Sequence, residues 1–383
     1  MKWEKVKLGD IATFSNGINF NKTAYAKGIK LIGVSNFGDR FYPDYSQLQE
    51  VKKDIVRLED CLRNGGIVFV RSNGNKELVG RCMLVKNPTE RVTYSGFCIR
   101  ARLNDTDRYD PVYFTYYFKS KAFRRAVSGT AVGANIQNLS QARLSNHECR
   151  IPSIEVQHRI ADILSAYDDL IENNQKQIKL LEEVAQRLYK EWFVNLRFPG
   201  HENTKIVDGV PEEWRKFPLE EIAPVVTGKK DANYGDKGGN YPFFTCSQET
   251  ITAPGYSFDT SAVILAGNGD FNVKLYRGKF EAYQRTYVLA PFDHSNLFNL
   301  YFTVQNNMEA LAKGASGSTI KFLTKGMLQK ILVLTADKKI LDKFNDYEEN
   351  IQQKVEALKK QVEDLTEIRN RLLPKLMSGE VEV

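Results

Sequence analysis

The carboxylates and histidines of this chain offer few arrangements capable of catalysis. Pro43-Asp44 followed by Glu50-Val51-Lys52 has the residue types of a metal-dependent nuclease, in which carboxylates hold the metal ion. The two parts lie unusually close together, and solvated surface charge accounts for them equally well. The histidines form no His-Glu-x-x-His pair; they are His147, His158, His201 and His294. The pattern predicts no metal ligands.

A second candidate for chemistry is the tetrapeptide Asp110-Pro111-Val112-Tyr113, which resembles the Asp-Pro-Pro-Tyr sequence of adenine methyltransferases. Val112 replaces the second proline, and no glycine-rich cofactor strand precedes the tetrapeptide. Gly267-x-Gly269 lacks the third glycine of a dinucleotide site, and no Gly-x-x-x-x-Gly-Lys-Ser/Thr loop occurs. We therefore predict no catalytic residue in this chain. The sequence indicates a protein that recognises a ligand.

Much of the chain is present twice. The first set of landmarks recurs 211 residues later, where Trp3, Leu8, Ile11, Ala12 and Gly17 become Trp214, Leu219, Ile222, Ala223 and Gly228. A second set recurs at an offset of 180, where Ile160, Leu164, Tyr167, Ile171 and Ile178 become Ile340, Phe344, Tyr347, Ile351 and Leu358. Two copies with so long a period indicate a duplicated domain, not a solenoid. Two similar surfaces suit a ligand with two similar ends, such as double-stranded DNA.

Each copy reads as a globular segment followed by a long helix. The predicted segments are a first recognition domain at 1–150, a helical spacer at 151–198, a second recognition domain at 199–336 and a helical spacer at 337–383. Ser153 is a plausible N-cap of the first helix, and Pro199-Gly200 stops it. The second helix is predicted to run from about Asp337 and to end at Pro374.

Both helices carry apolar residues at alternating steps of four and three, the pattern of a coiled-coil seam. The predicted seam is formed by Ile160, Leu164, Tyr167, Ile171, Ile178, Leu181 and Leu188 in the first helix, and by Ile340, Phe344, Tyr347, Ile351, Leu358, Leu365 and Leu372 in the second. Asn174, Lys354 and Gln361 interrupt it. We expect the two helices to pair antiparallel within the chain, although the same seam could join two chains.

Composition and charge agree with a folded protein that binds a polyanion. The chain is 42% hydrophobic and 26% charged, which is too apolar for disorder, and no apolar run is long enough for a membrane span or a signal peptide. A cytoplasmic protein is expected. Residues 1–150 contain 25 lysines and arginines against 14 acidic residues, whereas 199–336 contain 14 of each. Basic surface attracts phosphate backbones, although it also serves solubility.

Cysteine usage points to reduced core thiols. Cys61, Cys82, Cys98, Cys149 and Cys246 are scattered, and none forms a Cys-x-x-Cys pair.

Short strand-like runs alternate with glycine-rich loops in each globular segment. The strand candidates are Lys30–Ser35, Gly66–Arg71, Leu78–Val85, Tyr241–Cys246, Ala262–Ala266 and Thr286–Leu289, and 109–125 looks helical. We expect an α+β fold with a curved, mostly antiparallel sheet in each of two similar domains.

The loops contain most of the groups that could meet DNA. Glycine lets a backbone approach phosphates, while Asn, Gln, Arg and Lys carry the donors and acceptors that read base edges. Small-residue loops recur near the end of each segment, at 128–138 and 313–322. The candidate DNA-binding residues are Arg71, Asn73, Asn75, Lys76 and Asn135 in the first domain, and Lys229, Lys230, Asn268, Asn272, Lys274 and Lys321 in the second. Ordinary turns are the alternative for any single loop.

The order of segments resembles the DNA-specificity subunit of type I restriction-modification systems. The likeness covers the whole chain. It lies in the repeated opening Trp3-x4-Leu8-Gly9-Asp10-Ile11, in Asp168-Asp169-Leu170-Ile171-Glu172-Asn173-Asn174 and in the terminal run from Leu372 to Glu380, as well as in the passage from Ile136 to Ile160. The second copy departs at Leu334-Thr335-Ala336, which lacks the Ile-Pro entry to the helix.

This resemblance implies a division of labour. Each recognition domain would read one half of a split DNA site in the major groove, and the two antiparallel coiled-coil helices would set the unspecified spacer. Two modification subunits would dock on the helices and supply S-adenosylmethionine-dependent adenine methylation. Restriction subunits would add ATP- and Mg-dependent translocation and cleavage. The chain itself would bind no cofactor and no membrane.

Two alternatives remain open on the residues alone. The first is a self-contained methyltransferase or nuclease with degenerate motifs. The second is a coiled-coil scaffold that dimerises through its helices without touching DNA. Incubating the chain alone with DNA and S-adenosylmethionine or Mg²⁺ tests the first, and light scattering with a salt-dependent DNA-binding assay tests the second.

Overall fold

The computed structural model describes residues 3–38, 40–73, 75, 78–128, 138–317 and 321–383. The chain divides into two compact units. The first unit comprises Met1–Gln175 and Lys359–Val383, and the second comprises Lys176–Leu358. Both divisions fall inside the long helices, so each helix contributes one part to each unit. Among the described residues, no helix is both long and apolar enough to cross a membrane.

The first unit builds its globular part from short strands and helices. Its strands are β1 Glu4–Lys7, β2 Ala12–Asn16, β3 Tyr25–Ile32, β4 Gln49–Val51, β5 Ile67–Val70, β6 Cys82–Leu84, β7 Val92–Tyr94, β8 Cys98–Leu103 and β9 Glu148–Ile151. Its helices are α1 Leu8–Ile11, α2 Pro111–Lys119, α3 Lys121–Ser128 and α4 Gln141–Ser145. An antiparallel sheet has the order β2-β8-β5-β6, a smaller sheet has the order β4-β3-β7, and β1 pairs with β9.

The centre of this unit is β5, whose four residues are all buried. The strand lies inside its sheet, and its Phe69 packs against Phe118 of α2 with ring centroids 5.0 Å apart. The helix predicted over 109–125 is two helices, because α2 ends at Lys119, Ser120 is extended, and α3 begins at Lys121. Tyr113, Tyr116 and Phe123 are buried in the core.

The second unit repeats the plan with one larger sheet. Its strands are β10 Ile206–Val207, β11 Val210–Pro211, β12 Arg215–Pro218, β13 Val225–Thr227, β14 Tyr241–Phe244, β15 Ile251–Ala253, β16 Phe258–Ala266, β17 Val273–Ala282, β18 Thr286–Leu289 and β19 Leu332–Thr335. Its short helices are α6 Leu219–Ile222 and α8 Lys325–Gln329, and its core helix is α7 Leu297–Gly314. The sheet order is β13-β18-β16-β17-β14-β15, in which only the β14–β17 pair is parallel among the described strands.

Backbone pairing shows how the two copies correspond. In the first unit Glu4 lies opposite Ile151, and in the second unit Arg215 lies opposite Thr335. Glu4 and Arg215 are 211 residues apart, as the repeated landmarks require, so Ile151 and Thr335 must be equivalent at an offset of 184. Each long helix begins three residues after this point, so the two helices are also offset by 184 residues, and the offset of 180 inferred from the sequence is wrong by four.

The long helices are α5, Ile154–Tyr189, which continues as a π-helical turn over Lys190–Val194, and α9, Lys338–Ser378. On α5 every predicted seam residue is buried or half-buried. On α9 the buried and half-buried stripe follows the corrected register: it contains Leu341, Phe344, Glu348, Ile351, Val355, Leu358, Val362, Leu365, Arg369, Leu372 and Leu376. Tyr347, predicted in the seam, is 49% exposed, and Glu348 takes the buried position.

Within the first unit α5 and α9 run antiparallel. Asp168 forms an ion pair with Arg369, and six residues further along α5 the amide of Asn174 donates to Gln361 Oε1 at 3.1 Å, eight residues back along α9. Asn174 is thus satisfied inside the seam by a polar partner, and polar seam residues of this kind help to specify the register of paired helices. The pairing lies within the chain. The α+β architecture with two similar domains and two long antiparallel helices is confirmed.

Both ends of α9 have a clear physical cause. Asp337 caps the start, because its Oδ1 accepts from the Ile340 amide at 3.1 Å. The predicted end at Pro374 is wrong: the helix continues to Ser378 because Leu376, 1% exposed, packs into the first unit's core. Gly379 then stops it with a φ of +75°, a left-handed conformation that glycine adopts without strain.

Candidate nucleic-acid interface

In the first unit, four chain segments are tied together by backbone hydrogen bonds at the end of the sheet. The amide of Gly96 donates to Ile18 O at 2.7 Å, the amide of Arg71 to Phe97 O at 2.8 Å, and the amide of Leu139 to Arg71 O at 2.9 Å. We call the segments Ile18, Arg71–Ser72, Ser95–Phe97 and Asn138–Leu139 the first loop frame. These bonds join backbone groups, so they do not involve the exposed side chains of Phe97 and Asn138.

A glycine lies beneath this frame and admits no side chain. A Cβ on Gly17 would lie 2.2 Å from Tyr94 O and 2.3 Å from Ser95 O. In the second unit, a Cβ on Gly228 would lie 1.9 Å from Ala282 O. The repeated glycine seen in the sequence therefore has a structural reason: the strand end must pass directly against the turn.

The second unit contains the same arrangement. The amide of Gln284 donates to Lys230 O at 2.9 Å, the amide of Gly267 to Arg285 O at 2.9 Å, and the amide of Leu323 to Gly267 O at 2.8 Å. We call Lys230, Gly267–Asn268, Tyr283–Arg285 and Phe322–Leu323 the second loop frame. Asn268 bridges to Phe322 as Ser72 bridges to Asn138 in the first loop frame.

The two loop frames have equivalent backbone hydrogen bonds but present different side chains. Phe97 corresponds to Arg285, and Asn138 corresponds to Phe322, because each pair occupies the same place in the bonding pattern. All four side chains are exposed. A constant backbone that presents variable exposed groups is the arrangement that recognition surfaces use.

The candidate DNA-binding residues of the first domain occupy different structural environments. The guanidinium of Arg71 donates to Gly96 O at 3.1 Å, so this half-buried side chain supports the first loop frame. The Asn73 side chain accepts from the Asn75 amide at 2.7 Å and shapes its own loop. Lys76 and Asn135 lie outside the described residues.

In the second domain, Lys230 and Asn268 belong to the second loop frame, and Lys321 adjoins it through its carbonyl, which accepts from the Gly269 amide at 3.3 Å. The ammonium of Lys230 lies 4.4 Å from the centre of the Tyr234 ring, a cation–π contact that holds it in place. Lys229 and Lys321 are exposed.

Asn272 and Lys274 brace a neighbouring loop. The Asn272 amide donates to Cys246 O at 3.2 Å and to Asp270 O at 2.8 Å. Lys274 Nζ donates to Ser247 O at 2.8 Å, and partial burial lowers its pKa. Both side chains are engaged within the protein, so the structure gives them a loop-shaping role that their polarity alone did not reveal.

A cluster of arginines in the first unit was not identified from the sequence. Burial, followed by the charges of Arg100 and Arg63, lowers the pKa of Arg102. Arg63 is exposed, and Arg100 and Arg102 are half-buried. We call Arg63, Arg100 and Arg102 the arginine cluster. Like charges brought together repel one another, and Asp60, whose pKa is lowered chiefly by Arg57 and also by Arg100, is a carboxylate near this cluster.

The acidic residues of both catalytic candidates accept hydrogen bonds from nearby backbone amides and so stabilise local structure. Asp44 Oδ1 accepts from the Ser46 hydroxyl at 2.6 Å and from the Ser46 amide at 3.1 Å. The hydroxyl bond, followed by the bond from Arg40, lowers the pKa of Asp44 to about 2. Glu50 accepts from the Gly28 amide at 2.6 Å. Within the described part of the chain, no three His, Cys, Asp or Glu side chains are grouped as metal ligands.

The tetrapeptide at Asp110 is a helix cap. Asp110 Oδ1 accepts from the amides of Val112 at 2.6 Å and Tyr113 at 3.3 Å, and Pro111 is the first residue of α2. Proline at the first helical position costs no hydrogen bond. Helix capping therefore accounts for Asp110 and Pro111. Burial raises the pKa of the Cys82 thiol to about 11 and of the Cys98 thiol to about 12, as expected of inert core cysteines.

Comparison with known proteins identifies the family. Residues 1–183 and 211–364 match the family described as "Type I restriction modification DNA specificity domain". These ranges include most of the chain and contain one loop frame each, and the chain belongs to this family. The description of the family gives this chain a role in DNA specificity, and the matching relatives are named specificity subunits.

Three relatives carry matching descriptions. The chain is 37% identical over 176 residues to the Type I restriction enzyme EcoDI specificity subunit of Escherichia coli, an alignment that covers 45% of this chain and 39% of that protein. It is 26% identical over 336 residues to the MjaIX specificity subunit of Methanocaldococcus jannaschii, with coverage of 80% and 76%. It is 23% identical over 472 residues to the HindI specificity subunit of Haemophilus influenzae, with coverage of 99% of both chains.

A solved structure shares the fold. The S subunit of a type I restriction-modification system from M. genitalium superposes with a TM-score of 0.62 at 17% identity, covering 98% of this chain and 96% of that chain. At this identity the match establishes the α+β fold.

Proposed function

We propose that the globular segments 1–150 and 199–336 each read one half of a split DNA site in the major groove, and that α5 and α9 set the unspecified spacer. One observation carries this proposal: the same backbone loop frame is built twice and presents different exposed side chains. A protein that reads two half-sites of different sequence requires such a duplicated support.

The proposal includes partners and their cofactors. Two modification subunits dock on the helices and carry S-adenosylmethionine, and restriction subunits carry ATP and Mg²⁺. This chain takes no cofactor of its own. The experiment is to express the chain with a modification subunit and to map methylated adenines genome-wide. A bipartite motif with a fixed gap supports the proposal, whereas methylation without such a motif contradicts it.

Non-specific DNA affinity should depend on the arginine cluster. Replacing Arg63 and Arg102 together with alanine is expected to weaken binding to every DNA sequence alike, and to lower the slope of log affinity against log salt by about 2, because two phosphate contacts are lost. The measurement is a salt titration of DNA binding by the whole chain.

The matched control for this prediction is the double replacement of Arg108 and Arg150, which are exposed and remove the same net charge. Equal loss of affinity in both double variants would show that net charge, not the arginine cluster, determines binding.

Docking of a modification subunit should depend on an apolar patch on α5. Leu180 and Val184 lie one turn apart and are 59% and 53% exposed, although they belong to a helix whose other exposed positions are mostly polar. Changing both to arginine is expected to lower co-purification of the modification subunit at least tenfold, because a cation would be buried at the contact. DNA binding by the free chain should be unchanged.

Leu332→Arg offers a comparison, since Leu332 is 57% exposed on β19, outside both long helices. Retention of the modification subunit by the double α5 variant, or its loss from Leu332→Arg as well, would contradict the assignment of this patch.

A further inference from the structure

The turns Ser95–Phe97 and Tyr283–Arg285 are built identically from different residues. Besides the bonds already described, the amide of Cys98 donates to Ser95 O at 2.8 Å, and the amide of Thr286 donates to Tyr283 O at 2.8 Å. Three equivalent backbone bonds therefore hold each turn. Phe97 and Arg285 are the last residues of their turns and occupy the same position.

Both side chains project from these turns without support from the rest of the protein. Phe97 is 64% exposed, which is unusual for a phenylalanine and leaves a large apolar area in water. Arg285 is exposed, and among the described residues its guanidinium has no hydrogen-bond or ion-pair partner. The backbone carbonyl of each residue accepts a hydrogen bond, so the backbone is fixed while the side chain is free to contact a ligand.

The residues that donate to Phe97 O and Arg285 O also help to hold the two turns in the same conformation. A Cβ on Gly267 would lie 2.3 Å from Arg285 O, so the second loop frame requires glycine there. At the equivalent position in the first loop frame, Arg71 instead uses its guanidinium to hold Gly96 O at 3.1 Å. The two frames reach the same turn geometry by different means.

The chemistry of the two side chains suits different bases. An arginine donates two hydrogen bonds to O6 and N7 of guanine in the major groove, which is the commonest specific contact. A phenylalanine makes apolar contact with the C5 methyl group of thymine. Because the backbone of each turn is already rigid, less conformational entropy is lost when either side chain is ordered on DNA.

We propose that positions 97 and 285 are equivalent specificity positions: Phe97 reads a thymine methyl group in one half-site, and Arg285 reads a guanine in the other. This inference rests on the proposed function, and it names for each domain a residue and the base it contacts. It predicts that each substitution relaxes a single base pair in a single half-site.

The test uses the chain assembled with its modification subunit and the methylation motif of the wild-type complex. Competition binding is measured with duplexes that carry each single base change in that motif. Arg285→Ala is expected to lose about tenfold to hundredfold discrimination at one G·C pair of one half-site. Phe97→Ala is expected to relax one A·T pair of the other half-site only.

Deoxyuridine gives a sharper probe of Phe97, because it removes only the methyl group of thymine. Replacing the thymine in question should weaken the wild-type complex about fourfold and leave the Phe97→Ala complex unaffected. Phe292→Ala and Arg215→Ala are matched controls. Phe292 is 69% exposed and Arg215 is exposed, and both lie outside the loop frames.

The outcomes are distinguishable. If the wild-type complex has a bipartite motif and both variants keep full discrimination at every position, the inference is overturned while the proposed function stands. If the wild-type complex has no bipartite motif, the proposed function fails with it. Unchanged affinity of the variants for unrelated DNA shows that their fold is intact.

Discussion

Glu348→Leu is expected to raise the free energy of unfolding at pH 8 by about 2–4 kcal/mol. Glu348 is 0% exposed, both of its carboxylate oxygens lack a hydrogen-bond partner, and burial raises its pKa to about 8. The equivalent residue of the first copy is Leu164, also 0% exposed, which shows that leucine suits this seam position. The measurement is chemical denaturation of both proteins.

The pH dependence of this gain follows from the direction of the pKa shift. Below pH 4.5, the carboxyl is protonated in the folded and unfolded chain, so the charge costs nothing. Between about pH 4.5 and pH 8, the unfolded chain releases the proton while the folded chain holds it, and the wild type loses stability as pH rises. The advantage of Glu348→Leu should therefore grow through this range and level off above pH 8.

Glu356→Leu is the control, because Glu356 is exposed on the same helix. Its effect on stability should be small and nearly independent of pH. A gain for Glu348→Leu that is the same at pH 4 and pH 8 would show that Glu348 is not buried with a raised pKa.

Asp168→Ala is expected to destabilise the chain by about 2–3 kcal/mol. One oxygen of this carboxylate forms an ion pair with Arg369, and the other accepts from the Tyr116 hydroxyl at 2.5 Å. Alanine would leave a buried hydroxyl and a largely buried guanidinium without their acceptor. Asp168 thus joins α2, α5 and α9 of the first unit, and thermal or chemical unfolding measures its contribution.

Two variants separate this contribution into parts. Tyr116→Phe removes one hydrogen bond and keeps the ion pair, so its cost should be about 1 kcal/mol. Asp162→Ala removes an exposed carboxylate of α5 and should be nearly neutral. If Asp168→Ala were no more harmful than Asp162→Ala, the three-helix connection would be energetically unimportant.

The sequence predicted the duplication, the long helices and the α+β class because these follow from patterns that repeat locally. It placed the second helix four residues out of register, since a shift of four is close to one helical turn of 3.6 residues. An amphipathic helix looks nearly the same after such a shift. Only the strand pairing of Glu4 with Ile151 and of Arg215 with Thr335 revealed the correct equivalence.

The errors in the seam have the same origin. Hydrophobicity placed Tyr347 inside and gave Glu348 no structural role, whereas packing against the rest of the second unit buries Glu348. Local rules also ended α9 at Pro374, but the burial of Leu376 retains another turn. In each case long-range packing outweighed a local preference.

The candidate DNA-binding residues show the same limit. Polarity and glycine content located the loops, yet Asn272 and Lys274 proved to be engaged within the protein. Phe97 and Arg285 carried no sequence signal, because Ser95-Gly96-Phe97 and Tyr283-Gln284-Arg285 share no residue type. Their equivalence rests on backbone hydrogen bonds between segments that are far apart in the chain.

Residue types and their periodicity by themselves determined that this chain contains two similar domains, two long amphipathic helices and a basic first half. Tertiary structure alone decided the register of the copies, the burial of Glu348 and the side chains presented at each loop frame. The physical reason is that periodicity reflects neighbours along the chain. Register and presentation depend on bonds between remote segments, which no local pattern records.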